Sequence, residues 1–221
     1  MCFTPEISFT TFAVEMVLAF WVFHRNPKKT LNLIGAAILF LLGAYQFTEL
    51  MICTSGNPLF WGMMAHLTYT FLPALAIHWS YALKGAKKSN LHVIYLLPTI
   101  FVLVSLFSTN FVKSAECTKY FVTIMYEWLP IWFYGYGLYY GIFIIISMVI
   151  LLEALVKEKN EYKRKIYVWG IGGMLSFTMP VYGLVLFFPA LSISFPSVLC
   201  EFALLSGIFI LYILHLNEKK H

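Results

Sequence analysis

Residues 31–53, LNLIGAAILFLLGAYQFTELMIC, are apolar almost throughout, and they lie between two unlike turns, RNPKK at 25–29 and TSGNP at 54–58. A run of this length reads as a membrane-crossing helix, because about 20 predominantly apolar residues cover the hydrocarbon core of a bilayer. Lys and Arg are retained on the cytoplasmic side. The segment is therefore expected to leave the cytoplasm near Leu31 and to reach the outer face near Cys53.

The same asymmetry repeats in both directions along the chain. Helices are expected near residues 7–24, 31–53, 59–83, 91–108, 129–155, 166–188 and 195–216. KGAKK at 84–88, KEKNEYKRK at 157–165 and the tail NEKKH are basic, whereas FPALSIS at 188–194 is uncharged and 109–128 holds only Lys113, Lys119, Glu116 and Glu127. The expected fold class is all-α: a seven-transmembrane-helix bundle with its N-terminus outside and its C-terminus cytoplasmic, multi-pass in the cell membrane. Composition agrees, since the 221 residues are 61% hydrophobic, 19% aromatic and 11% charged, well below the soluble norm of about 25% charge.

That length holds six or seven spans and leaves no room for a separate soluble domain, so 1–221 is read as one membrane domain. Met1 to Arg25 is not read as a secretion signal, because its charges follow the apolar run instead of preceding it. The net charge of +5 is explained by the cytoplasmic turns; the expected partner is the lipid bilayer, not nucleic acid. Pro73, Pro98 and Pro180 fall inside spans and read as packing kinks. Tyr134, Tyr136, Tyr139 and Tyr140, interleaved with Gly135, Gly137 and Gly141, read as a close helix contact beside an aromatic face.

Topology then sorts the polar residues. Cys2, Cys53, Cys117 and Cys200 all fall on the outer side, where thiols are oxidised and four cysteines allow three pairings. The chain has no Asp. Glu6, Glu49, Glu127 and Glu201 lie at or near outer helix ends. Glu15 and His66 are deeper, at roughly 12 and 10 Å from the ends of their helices at 1.5 Å per residue, and Gln46 and Glu49 share a helix face. An ionisable group inside a span is by default a functional-site candidate. Glu6, Glu15, Gln46, Glu49, His66, Cys200 and Glu201 are therefore expected to form an outward-opening polar pocket with Cys2 as its lid. A second Met-side consequence is that Cys, being small, allows removal of the initiator. His78, Glu153, His24, His92 and His215 read as interfacial anchors.

The stretches MCFTPEISF, YQFTELM at 45–51, YTFLPALAIHW at 69–79 and SVLCEFALLSGIFILYILHL at 197–216 resemble an uncharacterised family of small polytopic prokaryotic membrane proteins. Its members begin Met-Cys-Phe-Ser and carry a Gln-x-x-Glu-like pair in the second helix and a Cys in the last. The matching positions are Cys2, Phe3, Gln46, Glu49, Pro73 and Cys200, with Thr4 where the family has Ser. The resemblance implies no activity. It does imply a pairing, Cys2 with Cys200 and Cys53 with Cys117, because only the first two fall on family positions. The helix pattern is also similar to seven-helix sensor regions that precede bacterial kinases, with no kinase following here.

Several function classes drop out at the sequence level. With no Asp, the His, Asp and Ser set of seven-helix hydrolases of the alkaline ceramidase type cannot be assembled, and His-Glu-x-x-His, Gly-x-Ser-x-Gly and phosphate-cradling glycine loops are missing. No Lys lies between Pro196 and Leu216, so a retinal Schiff base has no seat and no retinal is expected. What remains is a binding or sensing protein with an extracytoplasmic acid-rich pocket for a small polar or cationic ligand. The alternatives are a membrane enzyme using Cys, His and Glu or a metal ion, and a small-solute transporter of SWEET-like size that lacks the Pro-Gln signature and visible repeats. Thiolate, imidazole and carboxylate together suit zinc or a similar transition metal. Metal and disulfide compete at Cys2 and Cys200, and the disulfide is the expected outcome.

Overall fold

The computed structural model describes residues 5–85, 91–108, 110–118, 122–127, 129–187 and 202–218. Helix α1 spans Pro5–Arg25, α2 Thr30–Thr54, α3 Pro58–Thr70 and α4 Leu72–Lys84. A 3-10 turn, Leu91–Tyr95, leads into α5, Leu96–Phe107; strands β1, Val112–Cys117, and β2, Val122–Tyr126, follow; then come α6, Pro130–Lys157, α7, Glu161–Phe187, and α8, Ala203–Glu218. Pro5–Arg25, Thr30–Thr54, the broken pair Pro58–Lys84, and Ile131–Lys157 are each long and apolar enough to cross a membrane. Leu91–Phe107 and Leu204–Asn217 are shorter apolar helices.

Helix α2 is the hub, packing against α1, α3, α4 and α8. Two large apolar clusters divide the bundle, beside a smaller one at Leu151, Ala154 and Tyr167. At one end Tyr45, Ile52, Ala65, Tyr69 and Phe101 join residues of the strands; at the other Val22, Leu31, Leu39, Trp79, Ile213 and Leu214 pack together. The basic turns at Arg25–Lys29, Lys84 and Lys157–Lys165 lie at this second end, where Lys84 and Lys157 both pair with Glu153 and Lys163 pairs with Glu158.

Three features depart from the sequence expectation, each for a local reason. The expected helix 59–83 is two helices. Pro73 has no N–H to return to the Tyr69 carbonyl, the Phe71 N–H turns back onto that carbonyl, and the helix resumes from Phe71. The Thr70 carbonyl at this break accepts the Tyr139 hydroxyl from α6 at 2.7 Å, a cross-helix repair of the kind that tolerates Pro inside spans. Pro98 causes no kink, because it sits in the first turn of α5, where its missing donor has no intrahelical partner to lose. Helix α7 starts at Glu161, ahead of the expected 166, because the Asn160 side chain accepts the N–H groups of Tyr162 and Lys163 and so caps it within the charged run.

The expected outer loop is the largest departure from an all-helical chain. Strands β1 and β2 pair as an antiparallel hairpin, Ala115 with Ile124 and Cys117 with Val122, with a bulge between Val112 and Ser114. β-branched and aromatic residues, Val112, Val122, Thr123, Ile124 and Tyr126, supply the strand preference. One face, Val112, Ala115, Val122 and Ile124, is buried. It rests on α3 at Gly62, where an added Cβ would stand 3.1 to 3.4 Å from Val112, Ala115 and Ile124. Cys53 and Cys117 are bonded, with Cα atoms 5.1 Å apart, so the hairpin is tied to the end of α2.

Candidate functional site

Beneath the hairpin lies a polar interior built from α1, α2, α3 and α6. Glu15, Gln46, Glu49, His66 and Thr70 are all at 0% exposure. His66 occupies an aromatic box, its ring 4.9 Å from Phe111, 5.4 Å from Tyr126 and 5.3 Å from Tyr136. Its Nδ1 is 3.1 Å from the Tyr69 hydroxyl and its Nε2 3.5 Å from the Thr70 hydroxyl. Both contacts are one helical turn away, at the i+3 and i+4 spacing that brings side chains together. The Thr70 hydroxyl reaches 3.1 Å to that of Tyr136, so the network crosses to α6. In the hairpin, burial pushes the Tyr126 phenol well above its ordinary value, and its hydroxyl donates to the Gly62 carbonyl at 3.4 Å.

On α2 the Tyr45 hydroxyl donates to Glu49 Oε1 at 3.0 Å, again one turn apart, and the Tyr45 ring meets Tyr69 edge-on at 5.8 Å. Glu49 and His66 are thus joined through two tyrosines. Cys53 stands one turn beyond Glu49, which places the bridge to the hairpin directly over the acid. Glu15 belongs to the α1–α2 seam. An added Cβ on Gly43 would approach the Glu15 Cβ to 3.2 Å, so the glycine makes room for the acid. Both Glu15 carboxyl oxygens are buried without a hydrogen-bond partner among the described residues. Ser8 and Thr11, buried on the same face of α1, continue a polar stripe from Glu15 toward the hairpin end.

Of the expected pocket residues, then, Glu15, Gln46, Glu49 and His66 are enclosed in the bundle, and Glu6 is exposed at the start of α1. The cover the structure describes is the hairpin. Cys2, its expected partner Cys200, and Glu201 lie outside the described residues. The expected bridge of Cys53 to Cys117 is present. Among the described residues no group of three His, Cys, Asp or Glu side chains could hold a metal, and the bonded Cys53 and Cys117 have no thiolate to offer one. Of the flagged tyrosines, Tyr139 and Tyr140 are buried and Tyr134 is exposed. Tyr45, Tyr69 and Tyr126 were not singled out from sequence, although Tyr45 four residues before Glu49 and Tyr69 three after His66 carry a readable spacing signal.

Two cavities lie away from this network. One, about 680 Å³, is an apolar groove between α1, α2, α4 and Tyr95. The other, about 100 Å³, lies between α2, α4, α6, α7 and α8, with Tyr140, Thr178 and Ser206 in its lining. No protein-family model, no curated protein and no solved structure matches the chain, so its function is argued from its own chemistry.

Proposed function

We propose that the chain is a seven-span membrane protein, N-terminus and hairpin outside and C-terminus cytoplasmic, that binds a small cationic or polar ligand in its acid-rich outer half and acts as a binding or sensing module. Support for the membrane reading comes from the four long apolar helices and from the basic turns gathered at the end opposite the hairpin. A disulfide in the hairpin fits an oxidising outer compartment.

One observation carries the ligand class. Glu15 is fully buried, and neither of its carboxyl oxygens has a hydrogen-bond partner among the described residues. A carboxylate inside a span costs on the order of 3 kcal/mol or more, and no described side chain bonds to the Glu15 carboxyl to offset it. Positive charge must come from outside, as a proton or as a small cation. Glu15, whose carboxyl oxygens have no hydrogen-bond partner among the described residues, is the proposed anchor; Gln46, Glu49 and its partner Tyr45 supply further oxygen ligands.

The test is thermal unfolding of the purified protein in detergent with sodium, potassium or methylammonium chloride, at matched ionic strength. At least one cation is expected to raise the midpoint by several degrees in the native chain and not in Glu15→Gln. Equal midpoints with all three salts, or an undiminished rise in Glu15→Gln, overturn the reading.

A further inference from the structure

We infer that the groove between α1, α2 and α4 holds one acyl chain of an anionic phospholipid, with the lipid's phosphate at the basic turn 25–29. The inference rests on the membrane reading above. The groove's volume, about 680 Å³, falls in the range of about 300 to 1,000 Å³ usual for small-molecule sites. Its walls include Phe20, Phe23, Ala36, Ala37, Phe40 and Leu75, without a charged side chain among the groove residues. Its depth has a local cause, since two alanines stand one after the other on α2 where larger residues would close it, and the break before Leu72 sets the upper wall at Phe71 and Leu75.

Charge marks which end is the headgroup end. The groove runs along the α1 and α2 halves that meet in the turn containing Arg25, Lys28 and Lys29. Arg25 lies 4.8 Å over the Trp21 ring, and Lys28 is exposed. Neither lysine forms a salt bridge among the described residues, whereas Lys84, Lys157 and Lys163 all do. Juxtamembrane lysines attract anionic headgroups, and Trp21 and Tyr95 are of the type that sits at the headgroup level. A zwitterionic lipid would fill the same groove without using the turn.

Native mass spectrometry tests this on the full chain, purified in detergent and exchanged with dioleoyl phosphatidylglycerol or dioleoyl phosphatidylcholine. One phosphatidylglycerol per protein is expected to survive washing that removes phosphatidylcholine. Lys28→Gln with Lys29→Gln should cut that retention at least tenfold, and Ala37→Phe, which fills the groove, should abolish it. The Cys53–Cys117 bond, read by thiol counting, confirms that each variant is folded. Equal retention of the two lipids, or full retention by Ala37→Phe with the bond intact, overturns the inference and leaves the membrane reading standing. A chain that stays monodisperse without detergent would overturn both.

Discussion

The two halves of the bundle are stabilised in different ways. Toward the hairpin, the interior contains Glu15, Gln46, Glu49, His66 and a shell of tyrosines, closed by a disulfide and two short strands. Toward the basic turns, the interior is mainly Leu, Ile, Val, Ala and Trp, with the buried Asn32 amide donating to the Val22 carbonyl, and the ion pairs are at the surface. Helix α2 runs through both. The contrast teaches that polarity in this chain is placed by level, not by helix. Water-soluble packing rules would put charge outside everywhere, whereas here the hairpin half buries acids and an imidazole, an arrangement expected where a site must hold something.

Removing the bridge is the most severe way to break the contrast. Cys53→Ser is expected to destabilise by about 2 to 5 kcal/mol, the usual range for a lost native disulfide, and to open the hairpin end to proteolysis before the basic end. Limited digestion with mass mapping distinguishes ordered from uniform loss. Close packing comes next, at one glycine in each half. An added methyl on Gly35 would stand 2.7 Å from the Trp79 ring, and one on Gly62 3.1 Å from Val112. Overpacking of this kind costs about 1 to 3 kcal/mol. Gly35→Ala is expected to lower the unfolding midpoint more than Gly62→Ala, because its methyl would overlap a rigid indole at 2.7 Å whereas the one on Gly62 meets side-chain methyls at 3.1 Å or more.

Tyr139→Phe removes the donor that repairs the break before Pro73, a loss of about 0.5 to 1.5 kcal/mol at the usual net value of a hydrogen bond, measured as a shift in the midpoint. The smallest effects belong to the exposed charges. Lys84→Gln should leave the midpoint unchanged within error, since exposed ion pairs contribute little. The Asn160 backbone N–H and then Lys163 hold the Glu158 carboxyl below its ordinary value. Its contribution is therefore present above the ordinary carboxylate range and fades as pH falls through the lowered value, a weak acid-side loss that Glu158→Gln should erase.

Much of the helical frame was legible from sequence, because long apolar runs separated by short basic turns read as helices directly. Counting residues along helices singled out Glu15 and His66, and a shared helix face singled out Gln46 and Glu49; all four side chains are buried. Glu6 shows the limit of that counting, since a residue at a helix start is buried or exposed according to what covers it. The hairpin escaped because its charges suggest a loop, and because the bulge between Val112 and Ser114 sets the buried Val112 and Ala115 three residues apart and hides the two-residue period of a strand. The tyrosine shell escaped for another reason: Tyr126 and Tyr136 reach His66 from elements far apart in the chain, and no local spacing reports such a meeting.

The Cys53–Cys117 bond also constrains how the chain is assembled. Its sulfurs are 64 residues apart, with α3, α4 and α5 in between. In a bilayer they can meet only if that stretch departs from one side and comes back to it, an even number of crossings. A nascent chain that skipped one crossing would strand the two thiols in different compartments. Were the chain to cross a bilayer as proposed, the bond would act as a parity check on biogenesis, forming only when the middle of the protein has been threaded with both cysteines on one side.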